Sequence, residues 1–187
     1  MRPNIIRRAK GVYDNLPLPA GSAVGVVLVL VLDRVRRAPM PGSRAAQRAA
    51  GAASIAAGLA LNAWALVERR RRSTGDFQLE QPESLVSTGP YAFSRHPMYL
   101  GWWLIHLGVG VLRGTLWVAA TLPVAVLVEH IGGSVAEERD LRARFGEEYE
   151  RYAERVPRYA GLPRRLRPKD LLRDRAAGGG LRGGRLR

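Results

Sequence analysis

Residues 89–101, Gly-Pro-Tyr-Ala-Phe-Ser-Arg-His-Pro-Met-Tyr-Leu-Gly, set a dense polar and aromatic cluster directly against an apolar run, Met98–Leu112. Arg95 and His96 stand at the mouth of that run, where water thins out, and Pro97 has no N–H to give the helix it begins. Groups of this kind need partners there, and a bound polar ligand explains them better than folding alone. Further along, Leu141, Phe145, Tyr149, Tyr152 and Val156 recur at spacings of four, four, three and four, which predicts an amphipathic helix ended by Pro157. At about 100° per residue, Glu138 falls near the centre of its apolar stripe and Glu137 at the edge. A carboxylate in a buried stripe needs a partner, and Arg95 and His96 are the basic groups placed to meet it. An ion pair that simply pins the helix is the plainer reading; both hold at once if a ligand site must also be held together.

The elements that must position these residues are apolar. Four runs stand out: about Leu16–Leu32, broken early by Pro17 and Pro19; Ala49–Val67; Met98–Leu112; and Leu116 to about Val128. The second is nineteen residues without a charge, enough to cross a bilayer core. The last two are separated only by Arg113-Gly114-Thr115 and read as a tight helical hairpin. The expected fold is therefore all-α: a polytopic membrane bundle of about four transmembrane helices plus a C-terminal cytoplasmic amphipathic helix. Arg69–Arg72 put the end of the second run in the cytoplasm, and Arg2, Arg7, Arg8 and Lys10 put the N-terminus there too. Those arginines after the second run read as a topology and lipid signal, not as part of a site. Arg34, Arg36, Arg37, Arg44 and Arg48 then face outward, against the rule. Residues 1–160 form one membrane domain, with the ligand-binding part at about 76–160; residues 161–187 read as a basic, disordered tail touching lipid.

The formal net charge of +14 invites a nucleic-acid partner. No zinc-ligand, helix-turn-helix or RNA-binding motif accompanies it, and the charge flanks apolar segments, so anionic lipid headgroups fit better. The absence of cysteine excludes a disulfide, a thiolate metal site and a cysteine nucleophile, and no metal site is expected.

Leu85-Val86-Ser87-Thr88-Gly89-Pro90-Tyr91, then Arg95-His96-Pro97-Met98-Tyr99-Leu100-Gly101, then Glu137-Glu138 with Leu141, Phe145-Gly146, Tyr149, Tyr152 and Val156-Pro157-Arg158 follow in order across a helical hairpin. Over about residues 16–160 this pattern resembles the isoprenylcysteine carboxyl methyltransferase family. The resemblance implies an integral membrane methyltransferase that uses S-adenosylmethionine without a Rossmann domain, and no Gly-x-Gly-x-x-Gly fingerprint follows a strand here. Carried over, Tyr91, His96, Pro97, Met98, Tyr99 and Glu137 would line the cofactor pocket, with Glu83, Leu85 and Val86 giving backbone contacts to the adenosine end. Arg95 and Glu138 would be catalytic. The carboxylates suit the cofactor's ammonium or ribose diol, Arg95 and His96 its carboxylate, and the tyrosines its adenine or sulfonium face.

The implied substrate is a lipophilic small molecule or lipid with a carboxylate, thiol or amine, entering from the bilayer. The implied place is the cell's inner membrane, multi-pass, with site and C-terminus cytoplasmic. Relatives acting on prenylcysteine carboxylates carry an Arg shortly before the paired Glu; Ile131–Ala136 holds no base, so Glu129 and His130 are the polar groups expected to face the acceptor. His106 is expected to make an interhelical hydrogen bond. Two other functions fit parts of the pattern: an NADPH-dependent sterol-type reductase, which shares the Arg-His-Pro-x-Tyr helix start, and a non-catalytic lipid-binding membrane protein.

Overall fold

The computed structural model describes residues 19–72 and 84–160. The N-terminal basic cluster, Glu83 and the basic tail lie outside the described residues. Each apolar run becomes a helix: α1 (Ala20–Val35), α2 (Arg44–Arg71), α3 (Pro97–Arg113) and α4 (Trp117–Glu129). A 3-10 turn, Gly89–Ala92, precedes α3, and α5 (Val135–Arg155) closes the fold. Among the described residues there is no strand, only an isolated bridge between Pro39 and Thr115. Two helical stretches, Arg44–Arg71 and the one running from Trp117 toward Arg155, each contain a window long and apolar enough to cross a membrane.

Helix boundaries follow local chemistry. α1 starts after Pro19, since prolines tolerate only the first turn of a helix. Pro97 opens α3 with its missing N–H among those a helix leaves unpaired anyway. The α3–α4 hairpin turns on Gly114 in the left-handed region (φ 65°). A side chain there is strained by that angle, and its methyl group would also displace the ends of Arg44 and Gln47. The Gly114 carbonyl accepts from Met40 N at 2.7 Å and Leu116 N donates to Ala38 O at 2.7 Å, tying the α1–α2 connection to the hairpin.

Two features depart from the sequence reading. No loop separates the fourth helix from the last: α4 runs through a π-helical turn, His130–Ser134, directly into α5. The last helix is also not continuous, because Gly146 (φ 50°, ψ −124°) breaks it. Only glycine takes that φ without strain, so the break divides one apolar stripe between two shorter helices.

Packing relies on small residues. Gly51 and Gly58 of α2 face Gly108 and Gly101 of α3 so closely that backbones touch. A methyl group at Gly58 would stand 2.4 Å from the Gly101 carbonyl oxygen, and one at Gly51 would stand 2.5 Å from Leu112 N. Because the obstacle is backbone, Gly58→Leu is expected to cost about 2–3 kcal/mol, the upper range for overpacking. Thermal denaturation in detergent checks this, with exposed Leu59→Ala as the neutral control.

The buried set contains Ser22, His106, Thr121 and Glu129, while Val24, Val27, Val31, Leu59, Val124, Leu127 and Val128 face outward. His106 makes the expected interhelical bond: its Nε2 lies 3.0 Å from Thr121 Oγ1 of α4.

Candidate functional site

The turn before α3 is fixed from two sides. The Arg95 N–H donates to Pro157 O (3.0 Å) and the His96 N–H to Arg158 O (3.1 Å), a short backbone pairing with the segment after α5. Ser94 Oγ adds a bond to Arg158 O at 3.2 Å. Tyr152 of α5 donates through its hydroxyl to Tyr91 O at 2.8 Å. Beneath this closure, Tyr149, Tyr152 and Val156 form a buried cluster against Leu85, Leu141 and Phe145. Val86, Tyr91, Met98 and Ala65 of α2 form a second one.

Between these clusters the charged groups converge. Glu138 is 2 % exposed and is met from three directions. Arg158 approaches it in a two-pronged pair (Nε to Oε1 2.7 Å, Nη2 to Oε2 2.7 Å). Arg95 Nη1 stands 3.2 Å from Oε2 and His96 Nε2 3.1 Å from Oε1. The other imidazole nitrogen, Nδ1, lies 3.4 Å from Glu137 Oε2. Glu137 differs from its neighbour: its side chain is 38 % exposed, and its second contact, Arg69 Nη1, is 3.9 Å away. Both ring nitrogens of His96 thus face carboxylates, an arrangement that favours the doubly protonated imidazolium.

This cluster lies where α3 begins and α5 turns charged, outside the apolar stretches. Burial alone would push Glu138 up, but the hydrogen bonds from His96 and Arg158 and the charge of Arg95 together hold it at about 2. Burial would likewise lower His96; the bonds to Glu137 and Glu138 outweigh it and raise its pKa above the usual 6.5. Burial pushes the Tyr91 hydroxyl up to about 12, with the Arg69 charge opposing.

Several sequence expectations meet here and others do not. Arg95, His96, Glu137 and Glu138 are joined directly, with Tyr99 edge-on to His96 at 5.5 Å between ring centroids. Pro97, Met98 and Tyr91 are buried beside them. Val86 reaches Tyr91 and Met98, whereas Leu85 packs under α5. Glu129 belongs to the fold: it is buried, accepting from the Ser22 N–H of α1 and from Trp103 Nε1 at 2.5 Å. Arg69, read from sequence as a topology signal, is drawn inward to Glu137.

Two residues were missed as site members. Arg158 was legible only as part of a motif, because nothing in its spacing shows the chain folding back past Pro157. Tyr159 had no signal at all. Its hydroxyl lies 2.8 Å from His130 Nδ1 and 2.7 Å from Ser134 Oγ. Its ring packs at 4.8 Å from Trp103 and 6.0 Å from His96.

Comparison with known proteins covers Arg95, His96, Glu137 and Glu138. The phospholipid methyltransferase family model matches residues 46–148, more than half of the 187-residue chain. The chain is similar to protein-S-isoprenylcysteine O-methyltransferase of Schizosaccharomyces pombe, 38 % identical over 80 residues, covering 42 % of this chain and 33 % of that one. The corresponding protein of Homo sapiens is 36 % identical over 80 residues, covering 43 % and 28 % respectively. The cobalt-zinc-cadmium resistance protein CzcN of Cupriavidus metallidurans is 36 % identical over 76 residues, covering 41 % and 35 %. The matched region thus spans about a third of each of these relatives' length. No solved structure matches the chain. By its sequence over residues 46–148, this chain belongs to the phospholipid methyltransferase family.

Proposed function

We propose that this protein is an integral membrane methyltransferase that uses S-adenosylmethionine to methylate a lipophilic acceptor entering from the bilayer. The observation that carries this reading is the meeting of His96 with Glu137 and Glu138, the latter 42 positions along the chain, in a member of this family. The donor set fits the cofactor. Glu137 offers a partly exposed carboxylate for an ammonium group or a ribose diol. The buried Arg95 Nε–H has no acceptor among the described residues. Tyr91 and Tyr99 offer aromatic faces to a sulfonium or an adenine.

S-Adenosylmethionine, when bound, supplies an electrophilic methyl group on a sulfonium. The protein's part is positioning and exclusion of water. Because Arg158, Arg95 and His96 occupy both Glu138 oxygens, Glu138 acts by holding His96 and the Pro157–Arg158 segment together. His96 in turn presents Glu137. Among the expected contacts, Leu85 and Val86 support the pocket wall through packing.

The membrane setting is part of the proposal. Branched aliphatic side chains face outward while small and polar ones lie between helices, the reverse of a water-soluble bundle. α1 and α3, of 16 and 17 residues, are short for a bilayer core, so crossing requires flanking residues or local thinning. Four crossings would put the site, Arg69–Arg72 and α5 on the cytoplasmic side of the inner membrane, with anionic lipid headgroups around the arginines. Residues 1–160 would form the enzyme domain and 161–187 a lipid-touching tail.

The full chain in detergent is expected to bind S-adenosylhomocysteine saturably in calorimetry and not NADPH. With native membranes it is expected to transfer tritiated methyl into the organic extract. Saturable NADPH binding without S-adenosylhomocysteine binding would overturn the methyltransferase reading. Because the chain has no native cysteine, single cysteines at exposed Ser43 and Arg151 report the orientation. Labelling of both from one side would overturn the four-crossing topology.

A further inference from the structure

The π-helical turn His130–Ser134 carries a hydrogen-bonded chain outside the carboxylate cluster. Ser134 Oγ lies 3.2 Å from the His130 carbonyl, one turn back, and donates to it. The Ser134 oxygen lies 2.7 Å from the Tyr159 hydroxyl, and that hydroxyl lies 2.8 Å from His130 Nδ1. One assignment makes all three of these contacts hydrogen bonds at once. Ser134 donates to the carbonyl, Tyr159 donates to Ser134, and His130 Nδ1–H donates to Tyr159. A neutral imidazole protonated at Nδ1 has its lone pair on Nε2. With the ring neutral, this assignment leaves Nε2 as a base.

The surroundings place the half-buried His130 ring one aromatic contact away from His96. The Tyr159 ring lies between the two imidazoles, 6.0 Å from His96 and 5.9 Å from His130 by centroid. The next residue, Ile131, is 66 % exposed, and a methyl group on Gly132 would meet nothing within 4 Å. Exposed apolar and side-chain-free surface therefore flanks His130 on the same turn. π turns commonly mark functional positions, since the extra residue redirects side chains that a regular helix would turn away.

We propose that His130 is the general base for the acceptor, with Tyr159 and Ser134 as the positioning residues that set its tautomer. The acceptor is then one that must lose a proton before it can attack: a thiol or an alkylammonium group. A carboxylate is already ionised at neutral pH and needs no base. The acceptor's S–H or N–H bond breaks, its proton goes to His130 Nε2, and the electron pair left behind forms the bond to the methyl carbon. The methyl–sulfur bond breaks with its pair going to the sulfonium sulfur, and the imidazolium returns the proton to water. This inference rests on the methyltransferase reading and deepens it.

The test has a spectroscopic arm and a chemical arm, both on the full chain. In nitrogen-15 histidine spectra, simplified by a total of three histidines, His130 is expected as the Nδ1–H tautomer. Tyr159→Phe and Ser134→Ala, each tested separately, are expected to shift it toward Nε2–H. With tritiated S-adenosylmethionine, dodecanethiol or dodecylamine is expected to be labelled and dodecanoate not. His130→Asn should lower that rate about 100-fold, within the usual range for a lost general base, with S-adenosylhomocysteine affinity unchanged. A wild-type Nε2–H tautomer, labelled dodecanoate, or an unimpaired His130→Asn would each overturn the assignment. Failure of the wild type to bind S-adenosylhomocysteine is a different result and overturns the underlying reading instead.

Discussion

Glu138→Ala is expected to be the most damaging single substitution in the site, lowering stability and abolishing cofactor binding together. The carboxylate neutralises Arg158, Arg95 and His96 at once, all within 3.2 Å. Without it, three cationic groups face one another in a volume where Glu138 itself was 2 % exposed. Removing one partner of a buried ion pair costs about 3–5 kcal/mol, because the remaining charge keeps its desolvation penalty and loses its compensation. The lower end applies, since Arg158 is one-third exposed and can turn toward water. For a chain of this length about 3 kcal/mol corresponds to a fall of roughly 6–12 °C in Tm. Glu138→Gln keeps the volume and one accepting oxygen, so its loss should be intermediate. Thermal unfolding in detergent and calorimetric titration with S-adenosylhomocysteine measure both effects. A Glu138→Ala variant with unchanged Tm and affinity would mean the cluster organises nothing.

The sequence made this cluster legible to the extent that its signals were local. The position of Glu138 in a heptad-like stripe required a basic partner, and Arg95-His96 at a proline-started helix required an acidic one. What sequence could not convey was the backbone pairing of Arg95 and His96 with Pro157 and Arg158, which depends on the chain reversing after α5. That reversal brings in Arg158 and Tyr159. Periodicity also ran straight across Gly146: its positive φ leaves the apolar residues on either side in phase as a pattern though the helix between them is broken. Similarly, the fourth apolar run reads as ending at about Val128, yet a π turn carries the helix on into α5. Charge counting misled at Arg69, because a terminal arginine cluster gives topology without saying which member turns inward.

Glu137→Gln is expected to separate binding from stability where Glu138→Ala joins them. At 38 % exposure and with its arginine 3.9 Å away, Glu137 contributes little to holding the fold. Its carboxylate is nonetheless the cluster's accessible negative group, and losing a charged hydrogen bond to a ligand costs about 1.5–3 kcal/mol. S-Adenosylhomocysteine affinity should therefore fall roughly 10- to 100-fold at nearly constant Tm, by the same free energy. The variant also has a pH signature. His96 is raised above 6.5, so its contribution to stability is complete below pH 6.5 and is lost as pH rises through the raised folded value. Glu138, held at about 2 against an ordinary 4.5, contributes fully above pH 4.5 and loses that contribution only as pH falls toward 2. The cluster is thus most stabilising between about pH 4.5 and 6.5. Glu137→Gln removes one of the two acceptors that hold the His96 proton, so the raised folded value of His96 should move down toward 6.5, and with it the pH at which its contribution is fully lost. Proton NMR of the His96 ring reads this directly. An unchanged titration midpoint would show that Glu138 alone keeps His96 charged, leaving Glu137 free for the ligand but not coupled to it through His96.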